Sequence, residues 1–344
     1  MRVAPRSILI VLHGSIGDVT RALPLATLLR RGFPKVKLSW AVEAPSFPLL
    51  EHYPAIDEII VFDRRHWWRG IGPLLRTVRA RQFDVVLDLQ RHLKSGVVSF
   101  FSGAPVRIGF NKADGKEFNW LFNNRFIERA SSGSSKISHY MKFAELLGIP
   151  SQPIEWQFKL QPDEEKRITT LLDKIGEQYA VLFVGTRWQS KQWLPRQIAD
   201  CARFLRESHK LEVILLGGKE DRRIADEALI FYSERVQNLV GQTSLRDALG
   251  LIARARVAVG PDTGLMHIAA AVGTPVVSLW GATSPARTGP YGFDDLVVQG
   301  RAPCVPCYRR RCPIGHVCMK SIGANEIQAK LVSALWRARS KVRH

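Results

Sequence analysis

The stretch Val257–Tyr291, VAVGPDTGLMHIAAAVGTPVVSLWGATSPARTGPY, decides how the chain folds. Val257 to Val259 form an apolar strand end, and Gly260, Pro261 and Asp262 turn the chain. Thr263 or Asp262 can cap a helix from Leu265 to Val272, which Gly273 stops. Thr274 to Trp280 then read as a second buried strand. Such a turn points backbone N–H groups, and the positive end of the helix, at the carboxyl edge of a parallel sheet, where a diphosphate binds. His267 lies four residues after Thr263, on the helical face that carries the loop. A structural histidine and an ordinary capped helix remain the alternative at this point.

Outward from this stretch, strands and helices alternate on both sides. In the first half, strands are expected at 7–12, 38–43, 56–62 and 83–90, with helices at 19–31, 47–53, 68–80 and 91–101. Segment 103–138, rich in Gly, Asn, Ser and charge, reads as loops over an opening, followed by a helix at 139–147. GIPSQPIEW (148–156) has linker character. Further units follow, with helices at 163–175, 195–208, 219–233 and 244–255 and strands at 179–185, 211–218 and 236–240. Repeated βα units of this length imply α/β architecture with parallel, doubly wound sheets. Three parts are expected: 1–155, 156–324, and an amphipathic C-terminal helix, 325–344, able to pack back on the first part. Two such sheets facing one another leave a cleft lined by their carboxyl ends.

With 344 residues, nearly half hydrophobic, the chain has material for two cores rather than one. Its formal charge of +19 predicts attraction to something acidic: nucleic acid, anionic lipid or a phosphorylated substrate. No nucleic-acid motif stands out, and the basic residues are scattered, so no nucleic-acid partner is expected. The N-terminal apolar run ILIVL is too short for a signal peptide, and no stretch reaches the roughly 20 apolar residues of a membrane span. A cytoplasmic protein with at most peripheral membrane contact is expected. Cys304, Cys307, Cys312 and Cys318, with His316 nearby, are a candidate structural metal cluster, set against reduced thiols packed in a loop.

Several side chains can carry chemistry. The loop His13-Gly14-Ser15-Ile16-Gly17-Asp18 follows the first strand and misses the spacing of a dinucleotide site. Asp18 stands at a helix start, where a carboxylate is structurally favourable; on a cleft edge it can also take a proton from an attacking hydroxyl. Lys191, in the loop TRWQSKQW that opens with Thr186, can neutralise a leaving diphosphate or simply be a solvated lysine. Glu220 follows two glycines at a strand end, where an acid can accept bonds from ribose hydroxyls or favour a helix start. Arg64 and Arg65 lie in a basic–aromatic run, and Lys94 is expected at the first sheet's carboxyl edge.

These features together resemble glycosyltransferase family 9, the ADP-heptose:lipopolysaccharide heptosyltransferases. The resemblance rests on GPDTGLMHIAAAVGTPVVSLWG, Thr283-Ser284-Pro285, Gly289-Pro290-Tyr291, GSIGDVTRALPL, DLQRHLKSG and the tail CxxCxxxxCPxGHxCM. The tail is closer to the heptosyltransferase II pattern, whereas the spacing around Lys191 and the segment NKADGKEFNW depart from the heptosyltransferase I pattern. The resemblance implies a GT-B arrangement of two Rossmann-like domains, donor in the second. It implies inverting transfer, without cofactor or catalytic metal, of heptose from ADP-heptose onto the lipopolysaccharide inner core of Kdo–lipid A type. By position it makes Asp18 the base and places Thr186, Lys191, Glu220, Asp262, Thr263, Gly264 and His267 around the donor. Arg64, Arg65, Lys94 and Lys116 would meet acidic groups of the acceptor, at the anionic inner face of the cytoplasmic membrane.

Overall fold

Strands of Val, Ile and Leu with no polar face can be satisfied only in a sheet covered on both sides. The chain has two such sheets. The computed structural model describes residues 4–62, 67–129, 131 and 133–341. The chain divides into two compact units, Met1–Lys159 and Leu160–His344.

In the first unit the strands are β1 (Ser7–Val11), β2 (Lys37–Glu43), β3 (Glu58–Phe62), β4 (Val85–Asp88), β5 (Val106–Gly109) and β6 (Arg125–Phe126). They run in the order β3-β2-β1-β4-β5-β6, with every pairing parallel. Leu9 and Val11 of β1, Ala41 of β2 and Val86 of β4 pack under Val78 and Val98 from the covering helices. The second unit repeats the plan with β7 (Tyr179–Phe183), β8 (Glu212–Leu216), β9 (Val236–Asn238), β10 (Val257–Pro261), β11 (Val276–Trp280) and β12 (Val297–Gln299). Its order is β12-β11-β10-β7-β8-β9, again all parallel.

Three expectations change. Segment 103–138 is not only loop: β5 and β6 extend the first sheet, and the helix after them begins at Lys136, ahead of the expected 139. Both strands are short, and the pairing Ile108↔Arg125 has no sequence-local signal. Residues 148–156 are pinned to the first unit, because Trp156 Nε1 donates to the Thr20 carbonyl at 2.7 Å. The Gln157 amide adds a bond to the Tyr53 hydroxyl at 3.1 Å, which carries the boundary to Lys159. The C-terminal helix, Ala324–Lys341, packs within the second unit against helix Pro195–His209 and strands β10, β11 and β12.

Beneath the second sheet, helix Pro162–Ile175 is tied to helix Leu245–Arg254 by a buried ion pair. Arg246 Nε and Nη2 donate to Glu164 Oε1 and Oε2 at 2.8 and 2.7 Å, and the Gln161 amide donates to Oε2 at 2.8 Å. Removing one partner of such a pair strands the other charge without water. Arg246→Ala is therefore expected to cost about 3–5 kcal/mol, read as a lowered denaturation midpoint of the second unit. An Arg246→Met, Glu164→Met double variant should lose markedly less.

Candidate functional site

The loop after β10 is built around the carboxylate of Asp262. Lys191 Nζ donates to Asp262 Oδ2 at 2.5 Å and the Thr283 hydroxyl donates to the same oxygen at 2.8 Å. His267 Nε2 lies 3.8 Å from Oδ1, and the Thr186 hydroxyl donates to the Asp262 backbone carbonyl at 3.2 Å. Three strand ends thus converge: β7 supplies Thr186 and Lys191, β10 supplies Asp262, and β11 leads to Thr283. Burial acts upward on the Asp262 carboxyl, but His267 and Lys191 outweigh it and hold it well below the usual carboxylate range.

Thr263 occupies the N-cap of helix Gly264–Ala271 through its backbone, yet its side chain makes no capping bond. The capping expectation thus fails for both candidates, since Asp262 spends its carboxylate on Lys191 and Thr283. The N–H groups of the first turn are left for an incoming acceptor atom. Lys191 Nζ also sits 4.4 Å from the centre of the Trp188 ring, and Arg310 Cζ approaches that ring at 6.0 Å. Arg187, Gln189, Arg310 and Arg311 line an open cavity of about 520 Å³.

At the end of β8, Glu220 is exposed, without a hydrogen bond or ion pair among the described residues. The strand-end amide of Gly218 donates instead to Asp221 Oδ2, at 2.8 Å. Asp221 fills the space beside Gly185, where a Cβ would fall 1.8 Å from its Oδ2. Burial pushes the Asp221 carboxyl up, with the Gly218 amide opposing and Glu220 adding to it. Nothing in the sequence separates these adjacent acids; the strand-end amide does.

In the first unit Asp18 lies in the first turn of helix Ile16–Gly32, where its Oδ2 accepts from the Ser15 amide at 3.4 Å, the cap geometry of a favourable helix start. Oδ1 accepts from Arg21 Nη2 at 2.6 Å and from Lys136 Nζ. Burial acts upward on Asp18, and Lys136 and Arg21 overcome it, holding the carboxyl far below its ordinary range. Burial in turn pulls Lys136 below the usual lysine range, with Asp18 opposing and Arg21 and Arg91 reinforcing. Sequence reasoning missed Lys136, which reaches Asp18 across 118 positions. A signal for Arg21 existed, since it sits three residues after Asp18 on one helix.

A profile of glycosyltransferase family 9 (heptosyltransferase) matches residues 71–318. The chain belongs to this family. It is 28% identical over 297 residues to the lipopolysaccharide core heptosyltransferase OpsX of Haemophilus influenzae, covering 86% of this chain and 84% of that one. A family 9 glycosyltransferase from Veillonella parvula superposes with a TM-score of 0.81, at 17% identity, over 96% of this chain and 97% of that chain. The E. coli ADP-heptose lps heptosyltransferase II superposes with a TM-score of 0.77, at 23% identity, over 97% of this chain and 99% of that chain. The GT-B class of fold, two Rossmann-like units, is thereby borne out, and the protein is a glycosyltransferase.

Of the four acceptor candidates in this family 9 enzyme, Arg64 and Arg65 lie outside the described residues. Lys94 is exposed at the second position of helix Leu93–Phe101. Lys116 is exposed, and its amide donates to the Arg91 carbonyl at 3.0 Å, beside the loop that follows β4. Burial pushes the Cys318 thiol up and Cys312, Cys304 and Cys307 add to it, so the four clustered cysteines lie near one another, while among the described residues no three His, Cys, Asp or Glu are placed to hold a metal ion. Cys304 is exposed while Cys318 is buried. Slight burial acts upward on the Cys312 thiol, and the amides of Ile314, His316 and Val317 outweigh it and hold it low. The loop braces the loops that carry Lys191 and Thr283, with the Ser190 hydroxyl donating to the Arg309 carbonyl at 2.5 Å and the Tyr308 amide to the Ala282 carbonyl at 2.8 Å.

A carboxylate depressed in the fold adds stability above its unfolded pKa of about 3.9 and loses it as pH falls through the folded value. Lys136→Met removes one of two cations and moves the Asp18 carboxyl part of the way back up. The variant is expected to be less stable than wild type at neutral pH, with the gap narrowing in acid. The acidic limb of its pH–rate profile should rise, and a profile overlying that of wild type would refute the coupling.

Proposed function

We propose that this enzyme transfers a heptose from ADP-heptose to the inner core of lipopolysaccharide, with inversion at the anomeric carbon and Asp18 as general base. The observation that carries the reading is the convergence of Thr186, Lys191, Thr283 and His267 on Asp262 at the foot of an uncapped helix. Such a place suits a diphosphate: helix N–H groups take its oxygens, and a half-buried lysine stands beside them. The names of the relatives supply the sugar, the nucleotide and the acceptor class.

In this reading the acceptor hydroxyl attacks the anomeric carbon, its proton passes to Asp18, and the bond to the diphosphate oxygen breaks. Charge gathering on the leaving ADP is met by the first turn of helix Gly264–Ala271 and by Lys191. Exposed Glu220 is available to the ribose hydroxyls, and Arg187, Arg310 and Arg311 add positive charge on the Lys191 side.

Asp18 clamped by Arg21 and Lys136 is ionised yet weakly basic, because proton affinity falls with pKa. An acceptor sugar bearing its own carboxylates competes for both cations. Its binding would draw them off Asp18 and raise the basicity of Asp18 only when substrate is present. Lys94, Lys116, Arg64 and Arg65 are read as further contacts for those acidic groups. Action at the inner face of the cytoplasmic membrane is part of the proposal, and among the described residues no helix is long and apolar enough to cross a membrane.

Transfer assays with purified donor and acceptor test the assignment. Asp18→Asn should lower kcat by about 10²–10⁴-fold while calorimetry shows ADP binding unchanged. Turnover near wild type would sink the base assignment. Lys191→Ala should weaken ADP binding by about 1.5–3 kcal/mol, the worth of a hydrogen bond to a charged group. A panel of nucleotide sugars read by mass spectrometry tests the choice of donor.

A further inference from the structure

Helix Leu93–Phe101 is apolar on the side that faces water. Its inner face is small, with Ser95, Gly96, Val98 and Ser99 buried against the sheet. Leu93, Val97, Phe100 and Phe101 fall at i, i+4, i+7 and i+8, one stripe of a helix, and Leu93, Phe100 and Phe101 are exposed. The short helix Asn119–Phe122 packs alongside, with the Phe122 and Phe100 rings 6.1 Å apart. It adds Leu121, 69% exposed, with Phe118 just before it at 65%.

This face is held from below. Buried Asp88, at the end of β4, accepts from Asn119 Nδ2 at 2.7 Å and Asn123 Nδ2 at 3.3 Å. Ser99 of the longer helix donates to Asn123 Oδ1 at 2.7 Å. The exposed side chains therefore stand on a fixed platform and are not a frayed end. Contiguous exposed apolar surface marks an interface, whereas single exposed residues are ordinary.

Charge chooses the occupant. Residues 91–129 hold seven Lys or Arg against three Asp or Glu. Arg107 lies over the Phe100 ring at 5.6 Å and Lys112 over the Trp120 ring at 5.7 Å, while Arg125 is exposed on edge strand β6. Aromatic rings at headgroup depth with cations beside them suit an anionic bilayer, whose surface potential attracts each Lys and Arg. A second copy of the chain would meet its own positive charge.

We propose that the face made by helices Leu93–Phe101 and Asn119–Phe122 rests on an anionic lipid bilayer. The proposal rests on reading the acceptor as a lipid-anchored glycan. Asp18 and Leu93 follow the ends of β1 and β4, which are paired neighbours, so a surface seated on lipid begins one strand from the base.

Sedimentation of the full-length enzyme with phosphatidylcholine vesicles, with and without phosphatidylglycerol, tests this. Wild type should bind the phosphatidylglycerol vesicles, less so as salt rises. Phe101→Ser with Leu121→Ser should cut partitioning at least tenfold while leaving transfer to a delipidated acceptor unchanged and slowing transfer to a vesicle-embedded one. Arg125→Glu, at an exposed position on edge strand β6, should weaken binding to the anionic vesicles alone. Wild-type binding by both variants overturns the proposal, as does a wild type that ignores both kinds of vesicle. So does a face that pairs copies, seen as a dimer lost in the double variant with vesicle binding intact. Vesicle binding lost in the variants of a protein that transfers to no lipopolysaccharide acceptor would leave this surface standing and fell the proposed function.

Discussion

Parallel pairing is the constraint from which the rest follows. Every strand pairing among the described residues is parallel, so each chain must cross back over a sheet face in a helix before the next strand begins. All carboxyl ends in a sheet then lie on one edge. Residues far apart in the chain meet there without any local cause: Lys191 and Thr283 reach one oxygen of Asp262 because β7, β10 and β11 are adjacent. In the first unit the Gln90 side chain accepts from the His13 amide at 3.0 Å, joining the loops after β4 and β1 in the same way.

Each unit uses that edge to hold a carboxylate among cations, Asp18 in the first and Asp262 in the second, and the two are held alike. Asp18 and Asp262 are each shielded from water, which alone would push them toward the neutral acid, and each is kept ionised by cations. The consequences differ. At Asp262 the lysine and histidine are fixed beside a helix terminus, a composite suited to a bound anion. At Asp18 two cations bond to one oxygen, which restrains a base until something else engages them.

Much of this was legible in the chain. Long apolar runs bounded by Gly and Pro gave the strands at β1, β7, β10 and β11, since buried parallel strands need no polar partner face. The loop residues Thr186, Lys191, Asp262 and His267 were identifiable as one set through the family resemblance, and the structure brings them together. Strands β5, β6 and β12 were not legible: two to four residues of mixed polarity carry no period, and their strand character exists only through a neighbour. The start of the helix at Lys136 was hidden for the same reason, inside a polar stretch whose cap, the Ser135 hydroxyl accepting from the Ser138 amide, is one of several available serines. The loop of the four cysteines also makes contacts its spacing does not announce, tying itself to the loops that carry Lys191 and Thr283.

The sequence by itself determined the alternation of strand and helix, the two-unit plan and the family, because these depend on local periodicity and on a long unbroken motif around Asp262. Tertiary structure decided the ionisation of that motif's carboxylate, the clamp of Lys136 on Asp18, the choice of Asp221 over Glu220 at the strand-end amide, and the apolar face turned to solvent on helix Leu93–Phe101. Charge state and exposure are properties of what surrounds a side chain in space, and in a parallel α/β fold those surroundings come from strands distant in sequence.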